Sequence, residues 1–139
     1  MKTLKVLSLF FFLAFFSACD DVVVEPNDLI GGWSLDYVSI NGIDSEDINS
    51  SITAHYLQFE ADNSYYRTYV IGDYEVVNDN IIRLLSDYGP IWEMEVVSLT
   101  ANTLIVKMEM TEVEYNWNFN EFTSTEPLAI VEKYVKVEQ

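Results

Sequence analysis

The sequence predicts an all-β domain, an antiparallel up-and-down β-barrel of about eight strands. Apolar and polar residues alternate with a period of two along most of the chain after Ile30, as in strands with one buried face. Segments rich in Asp, Asn, Ser and Gly interrupt the alternation roughly every ten residues, which is typical of turns between short strands. Such strands curl a sheet around a core. The same spacing also fits a β-sandwich, so the pattern leaves both architectures open.

Three consecutive segments show the alternation most clearly. Residues 92–96 place tryptophan, methionine and valine on one face and two glutamates on the other. Residues 104–110 alternate leucine, valine and methionine with lysine and glutamate, and residues 113–119 alternate valine and aromatic residues with glutamate and asparagine. Each segment therefore predicts a strand with one face in the core and one in water.

Other strands are predicted on both sides of these three. Upstream they are Trp33–Ile40, Ala54–Glu60, Tyr65–Ile71, Tyr74–Val77 and Ile81–Ser86. Turn-forming residues separate the predicted strands at Ala61–Ser64, Asn78–Asn80, Asp87–Pro90 and Thr100–Asn102. The longest polar break, Asn41–Ile52, has room for one helical turn. Residues Leu128–Glu138 predict a last strand with Val131, Val135 and Val137 on its apolar face, and a loose tail is the alternative.

The N-terminal segment has the composition of a secretory signal peptide. Two lysines precede an apolar stretch of 11 residues, Val6–Phe16, and small residues and Cys19 follow it. A membrane-spanning helix needs about 20 residues, so the stretch is too short to span. An uncleaved N-terminal anchor and an ordinary signal peptide with an incidental cysteine are the alternatives.

The small residues before Cys19 resemble the lipobox of bacterial lipoproteins. The resemblance implies that signal peptidase II cleaves before Cys19 and that the cysteine sulfur carries diacylglycerol. The implied organisation is a signal peptide at residues 1–18 and a lipidated tether at 19–28, followed by the predicted β-barrel domain at 29–139. It also implies a lipid-anchored location in the bacterial cell envelope, at the outer membrane, with the membrane as a partner through lipidated Cys19.

The mature chain is strongly acidic. The full sequence has 7 basic and 23 acidic residues and a formal net charge of −16. Residues 1–18 contain two of the basic residues and none of the acidic ones, so the remainder has a formal net charge of −18. This charge excludes nucleic acid as a partner, because nucleic-acid binding needs a basic surface. Cys19 is the only cysteine, so no disulfide forms within the chain and the domain depends on an apolar core.

The sequence contains no recognisable set of catalytic or metal-binding residues. His55 is the only histidine, and its phase with Leu57 and Phe59 favours a structural role. Zinc sites of the usual His/Cys type need more such ligands, and no Gly-x-Ser-x-Gly segment presents a serine nucleophile. Glu93 and Glu95 share a strand face, but their alternation with apolar residues predicts a solvated pair. We therefore expect a protein that is not an enzyme and has no metal or cofactor.

Four motifs together resemble a known family. A Gly-x-Trp motif, Gly31 to Trp33, opens the first predicted strand. Three more follow in order, at Tyr56–Asp62, Gly72–Tyr74 and Leu99–Leu104. Over about residues 29–122 they resemble the lipocalins, in particular the lipocalin-like domains of bacterial lipoproteins. The resemblance implies a barrel in which Trp33 closes one end.

One position of the family pattern is replaced. Lipocalins place an arginine late in the chain, where it stacks on this tryptophan. Here the arginines are Arg67 and Arg83, so Lys133 or Lys136 is the candidate replacement. A lysine lacks the planar guanidinium that stacks on a ring. The resemblance therefore supports the fold more than any lipocalin ligand.

The predicted interior is rich in aromatic residues and methionine. The candidate ligand-binding residues share an inward phase and are Tyr37, Trp92, Met94, Met108, Tyr115 and Trp117. An eight-stranded barrel is just wide enough to be filled by its side chains or to hold one small ligand. The leading hypothesis is a membrane-anchored lipoprotein whose barrel binds a small apolar ligand without catalysis. The alternative is an envelope structural or interaction module with a filled barrel and a protein partner.

Overall fold

The alternating segments of the sequence form the strands of one continuous sheet. The structure, a computed structural model, describes residues 21–44, 56–88, 91–115 and 126–138. Within these ranges the helices are α1 (Pro26–Leu29) and α2 (Glu112–Tyr115), each of four residues. The strands of the same ranges are β1 (Gly31–Ile40), β2 (Ile43–Asp44), β3 (Tyr56–Phe59), β4 (Ser64–Arg67), β5 (Val70–Val77), β6 (Ile81–Ser86), β7 (Ile91–Leu99), β8 (Thr103–Thr111) and β9 (Pro127–Lys136).

The sheet closes on itself because β1 has a neighbour on each edge. Consecutive strands from β3 to β9 pair antiparallel in chain order, and β1 pairs with both β3 and β9. Gly31–Ser34 of β1 pair with β3, and Trp33–Ile40 pair with β9. β2 adds a two-residue pairing at the end of β1. The strands β1 and β3–β9 thus form a closed eight-stranded up-and-down barrel, the arrangement found in lipocalins, and the sandwich alternative is wrong.

The C-terminal segment is the strand that closes the barrel. β9 pairs with β8 along its length and with β1 on its other edge, which confirms the predicted last strand and excludes a loose tail. The predicted phase of this strand is wrong. Ile130, Glu132 and Tyr134 are buried, whereas Val135 and Val137 are exposed. A slip of one residue exchanges the two faces of a strand, so the sequence pattern assigned the wrong face to the core.

The strand predicted at Val113–Phe119 is wrong in its first part, because the chain enters α2 there. Thr111 and Glu114 form a capping box. The Thr111 N–H and Oγ1–H donate to Glu114 Oε2 at 2.8 and 3.0 Å, and the Glu114 N–H donates to Thr111 Oγ1 at 3.3 Å. These local hydrogen bonds satisfy backbone groups that a strand would pair with a neighbour. Residues 116–120 lie outside the described residues.

The strand predicted at Tyr65–Ile71 is two strands joined by a tight turn. β4 and β5 pair with Tyr66 opposite Ile71 and Arg67 opposite Val70. Thr68, between them, has a positive φ of 54°, and its N–H donates to the Tyr56 carbonyl at 2.9 Å. The sequence lacks the Asn-Gly or Gly-Gly pair that usually marks such a turn, so the residue pattern alone does not indicate it.

Gly72 explains one of the family-like motifs in physical terms. It lies on the inward face of β5, opposite Ser86 of β6. A Cβ at this position would lie 2.0 Å from the carbonyl oxygen of Leu85, a backbone atom that cannot move aside easily. The barrel therefore needs a glycine here to bring the two strands together.

One end of the barrel, the closed end, is covered by the N-terminal segment. Val24, Leu29 and Trp33 are buried there, and the Val24 N–H donates to the Asp79 carbonyl at 2.7 Å. The Trp33 Nε1–H donates to the Leu29 carbonyl at 2.8 Å. Lys136 Nζ lies 4.2 Å from the centroid of the Trp33 ring. Trp33 thus closes this end, as the family resemblance implied.

The lysine that covers the Trp33 ring, in place of the family's arginine, is Lys136 and not Lys133. Lys136 covers the ring as a cation–π partner and also donates to the Ile30 carbonyl at 2.5 Å. Lys133 lies on the outer face, where it pairs with Asp36 at 3.3 Å.

The opposite end of the barrel is the mouth. In an up-and-down barrel successive strands run in opposite directions, so β1, β4, β6 and β8 end at the mouth. The turns after β3, β5 and β7 lie at the closed end.

The outer face of the barrel is polar and carries paired charges. Glu93 pairs with Arg83 at 2.8 Å and Glu95 with Lys107 at 3.2 Å, and all four side chains are at least one-third exposed. The prediction that Glu93 and Glu95 form a solvated pair is therefore confirmed. No helix within the described ranges has the length and hydropathy needed to span a membrane.

Candidate functional site

A buried ion pair lies in the interior of the barrel. Arg67 of β4 and Glu132 of β9 both face inward, and Arg67 Nη2 lies 2.8 Å from Glu132 Oε1. Their side chains are 8% and 0% exposed. Burying two charges costs several kcal/mol per ion unless they meet each other and further hydrogen-bond partners, so the groups around the pair decide what it does.

Two tyrosine hydroxyls complete the surroundings of Glu132. The Tyr115 hydroxyl, from α2, donates to Oε1 at 2.9 Å, and the Tyr134 hydroxyl donates to Oε2. Burial, and then the charge of Glu132, raises the pKa of Tyr115 well above its usual range. Burial also raises the pKa of Tyr134. Both hydroxyls therefore stay protonated and act as donors, and both oxygens of Glu132 are occupied.

Most of the N–H groups of Arg67 have no strong hydrogen-bond acceptor among the described residues. Its guanidinium has five N–H groups. Nη2 meets Glu132, Nη1 meets the sulfur of Met94 at 3.8 Å, and Cζ lies 4.7 Å from the centroid of the Trp92 ring. A thioether is a weak acceptor. Among the described residues, Arg67 thus has one oxygen partner for five donors.

The charge of Arg67 is retained in spite of burial. Burial, the largest single influence, lowers the pKa of Arg67, but the charge of Glu132, the neighbouring Tyr134 and Tyr115 and the hydrogen bond to Glu132 together outweigh it, so the net shift is upward. The cluster formed by Arg67, Glu132, Trp92, Tyr115 and Tyr134, which we call the interior cluster, therefore contains one cation, one anion and neutral donors.

Trp92 contributes a donor without a partner. The side chain is 6% exposed, and its Nε1–H has no hydrogen-bond partner within the described part of the chain. The Tyr65 hydroxyl, on the inward face of β4, also has none there. A buried donor without an acceptor costs about 1–3 kcal/mol. The interior cluster therefore offers donor groups to an acceptor that the described residues do not supply.

The structure brings together some of the sequence-predicted site residues. Trp92, Met94 and Met108 are buried in the core, and the hydroxyl of Tyr115 reaches the interior cluster from a helix and not from a strand. Trp117, Cys19 and His55 lie outside the described residues.

The placement of Tyr37 in the interior is wrong. The register of β1 against β9 shifts between Leu35 and Tyr37, so Leu35 and Val38 face inward and Tyr37 lies opposite the outward-facing Lys133. The hydroxyl of Tyr37 donates to the exposed carboxylate of Asp44. A bulge inserts one extra residue and reverses the phase beyond it, which strict alternation does not foresee.

Sequence reasoning missed the charged members of the interior cluster. Arg67 is two residues after the inward-facing Tyr65, and Glu132 is two residues after the inward-facing Ile130. On each of these two strands a charged residue is in phase with inward-facing residues, and this pattern could have indicated a buried ion pair. Within the described residues, no group of three or more His, Cys, Asp or Glu side chains is placed to hold a metal ion.

Comparison with known proteins adds a structural similarity. No protein-family model matches this chain, and no curated protein matches it either. Among solved structures, the bovine lipocalin allergen Bos d 2 is similar, with 15% sequence identity, a TM-score of 0.49 and an alignment that covers 82% of this chain and 76% of the allergen. The barrel itself is defined by the strand order and by the pairing of β1 with β9.

Glu132→Gln is expected to destabilise the fold strongly. The variant leaves the charge of Arg67 buried without a counter-charge, and removing one partner of a buried pair costs about 3–5 kcal/mol. The matched control is Glu95→Gln, the same chemical change in the exposed pair with Lys107, for which we expect a loss under about 1 kcal/mol. Urea denaturation gives both free energies of unfolding. Similar losses in the two variants would contradict a buried, charge-balanced pair.

Stability is expected to fall in the alkaline range because of buried tyrosines. Burial raises the pKa of Tyr65 to about 12, and the pKa values of Tyr115 and Tyr134 are also raised. The unfolded chain loses these protons near pH 10 while the folded chain keeps them, so the stabilisation is complete below about pH 10 and is lost as pH rises through the raised values.

The free energy of unfolding, measured at intervals from about pH 8 to about pH 12, tests this. Tyr65→Phe removes one of the shifted groups and is expected to reduce the alkaline slope. A Tyr65→Phe variant with the same slope as the parent protein would refute this origin of the pH dependence.

Proposed function

We propose that the barrel binds a small, largely apolar molecule in its interior and does not catalyse its conversion. An eight-stranded barrel has an interior wide enough for one small ligand. The N-terminal segment covers one end, and the mouth lies at the other, where β1, β4, β6 and β8 end. A ligand would enter through the mouth and contact Trp92, Met94 and Met108.

The observation that carries this proposal is the incomplete hydrogen bonding of the interior cluster. In a barrel filled only by its own side chains, buried polar groups are expected to satisfy one another. Glu132 is satisfied, but Trp92 Nε1 has no partner and Arg67 has one oxygen partner among the described residues. An interior ligand with an acceptor removes this deficit.

The interior cluster is better suited to binding than to proton transfer. Glu132 is paired with Arg67, and each of its oxygens already accepts at least one hydrogen bond, which disfavours a role as a general base. The raised pKa values of the two tyrosines keep their protons in place near neutral pH. These properties support a non-catalytic role.

We also propose that lipidated Cys19 anchors the protein to the bacterial outer membrane. Val24 is fixed at the closed end, and Cys19 precedes it by five residues, which reach at most about 17 Å. The nine residues of the tilted strand β8 span about 23 Å between the ends. A tether of that length holds the closed end near the membrane, so the mouth faces away from it.

A second candidate is an interaction module with a filled barrel. The observation that favours it is a set of exposed apolar residues on β4, β5 and β7 and in the adjoining mouth turns, namely Tyr66, Tyr69, Ile71, Tyr88 and Ile91. Exposed apolar surface of this kind is typical of protein contacts. Of these, Tyr66 and Ile71 lie directly opposite each other on neighbouring strands.

Interior binding is tested by adding fatty acids, sterol-like molecules and sugars to the detergent-free Cys19→Ser protein. We expect apolar members of the panel to change the tryptophan fluorescence saturably. Met108→Phe reduces the interior space and is expected to weaken binding at least about fivefold, because overpacking a full site costs about 1–3 kcal/mol. The control Val97→Phe places the same ring on the outer face, where Val97 is 47% exposed. No response from any probe would favour the filled-barrel module instead.

Cys19→Ser is expected to move the protein from the membrane fraction to the soluble fraction. Diacylglycerol provides two chains, which is enough for stable anchoring. The control Asp21→Ser changes the tether and keeps the cysteine, so it should stay with the membrane. Fractionation and the mass of the N-terminal peptide measure the outcome, and a membrane-bound Cys19→Ser protein without the signal peptide would refute the lipid anchor.

A further inference from the structure

The described contacts of the interior cluster leave donors on Trp92 and Arg67 without an oxygen acceptor. The oxygens of Glu132 are occupied by Arg67, Tyr115 and Tyr134. The remaining groups are the Trp92 indole N–H, which has no partner in the described ranges, and the N–H groups of Arg67 that meet no oxygen there. The indole and guanidinium are in contact, with 4.7 Å between Arg67 Cζ and the Trp92 ring centroid. A ligand that complements this cluster must therefore bring an acceptor.

The charge of the interior cluster is already balanced. Arg67 contributes one positive charge and Glu132 one negative charge, at 2.8 Å from each other. A carboxylate ligand would add a third, uncompensated charge to a buried site, which costs several kcal/mol. The formal net charge of −18 of the mature chain further opposes an entering anion. An ammonium ligand would add a second positive charge beside Arg67 and be repelled by it.

The lining beside these donors is apolar. Met94 is fully buried and its sulfur contacts Arg67, and Val96 and Leu84 are buried on the same side of the barrel as Trp92. An alkyl chain or an apolar ring fits such a lining, whereas a molecule with many hydroxyl groups would leave its own donors unsatisfied there.

We propose that the interior site is specific for uncharged molecules with an apolar body and a carbonyl oxygen, and that this oxygen accepts hydrogen bonds from Trp92 Nε1–H and Arg67. A carbonyl oxygen has two lone pairs and brings no donor that would need a partner. The inference rests on the proposed function, because it specifies which small molecules the barrel binds.

The test compares three probes of equal chain length on the detergent-free Cys19→Ser protein. They are methyl nonyl ketone, its isostere with a methylene group in place of the carbonyl oxygen, and undecanoate. Displacement of a fluorescent apolar dye measures each affinity in the parent protein and in Trp92→Phe. The variant keeps an aromatic ring and removes the N–H.

We expect Trp92→Phe to weaken the ketone about tenfold relative to the methylene isostere, which is the effect of losing one buried hydrogen bond. The ratio of ketone affinity to isostere affinity is compared between the parent protein and Trp92→Phe. This comparison cancels the difference in hydrophobicity between the two probes. Leu84→Met is the matched control, because Leu84 is buried opposite Trp92 and has no polar atom, so the change should affect both probes equally. Undecanoate is expected to bind more weakly than the ketone.

A second measurement uses the protein without the Trp92→Phe change, so it remains informative if Trp92→Phe does not fold. The infrared stretching frequency of the bound carbonyl should fall below its value in an alkane solvent, because donation from N–H groups weakens the C=O bond. Thermal unfolding of each variant shows whether it is folded.

The outcomes separate this inference from the proposed function. If Trp92→Phe weakens ketone and isostere equally, or the carbonyl frequency is unshifted, the barrel binds apolar molecules but the carbonyl inference is wrong. If undecanoate binds more tightly than the ketone, the charge argument is wrong. If the barrel binds neither the dye nor any of the three probes, both the inference and the proposed function are overturned.

Discussion

The structure depends on one interaction across the barrel, the buried pair between Arg67 and Glu132. It joins β4 to β9, two strands that are not neighbours in the sheet, through residues 65 positions apart in the chain. A slip of β9 by one residue against β1 and β8 would move Glu132 to the outer face and leave Arg67 buried alone. Because an uncompensated buried charge is so costly, the pair makes the register of the closing strand specific.

The two tryptophans described by the structure show how the ends of the barrel differ. At the closed end the indole N–H of Trp33 has a partner in Leu29, and Lys136 covers its ring. Trp92 also has a cation on its ring, Arg67, but its indole N–H has no partner within the described ranges. Both tryptophans thus have a cation on the ring, but at the closed end the indole N–H of Trp33 also has a hydrogen-bond acceptor. In the interior the indole N–H of Trp92 is unpartnered among the described residues, which supports the proposed binding there.

The sequence predicted the fold where the two faces of a strand differ in polarity, as in β7 and β8, whose buried residues alternate with exposed ones as expected. It failed where a local or distant interaction overrides that contrast. The capping box of Thr111 and Glu114 turns an alternating segment into α2, and a bulge in β1 turns Tyr37 outward. In β9 the pattern assigns the valines to the core, whereas Glu132 faces inward, because its counter-charge Arg67 is distant in sequence and meets it only in the fold.

The same distant pairing is central to the proposed ligand specificity. Glu132 alone would favour a cationic ligand, and Arg67 alone would favour an anionic one. Together they cancel in charge, while N–H groups on Arg67 and Trp92 meet no oxygen acceptor among the described residues. The proposed interior site, with zero net charge and these donors, would therefore favour small apolar molecules that carry an uncharged acceptor. The net negative charge of the chain would add to this selectivity by opposing anions.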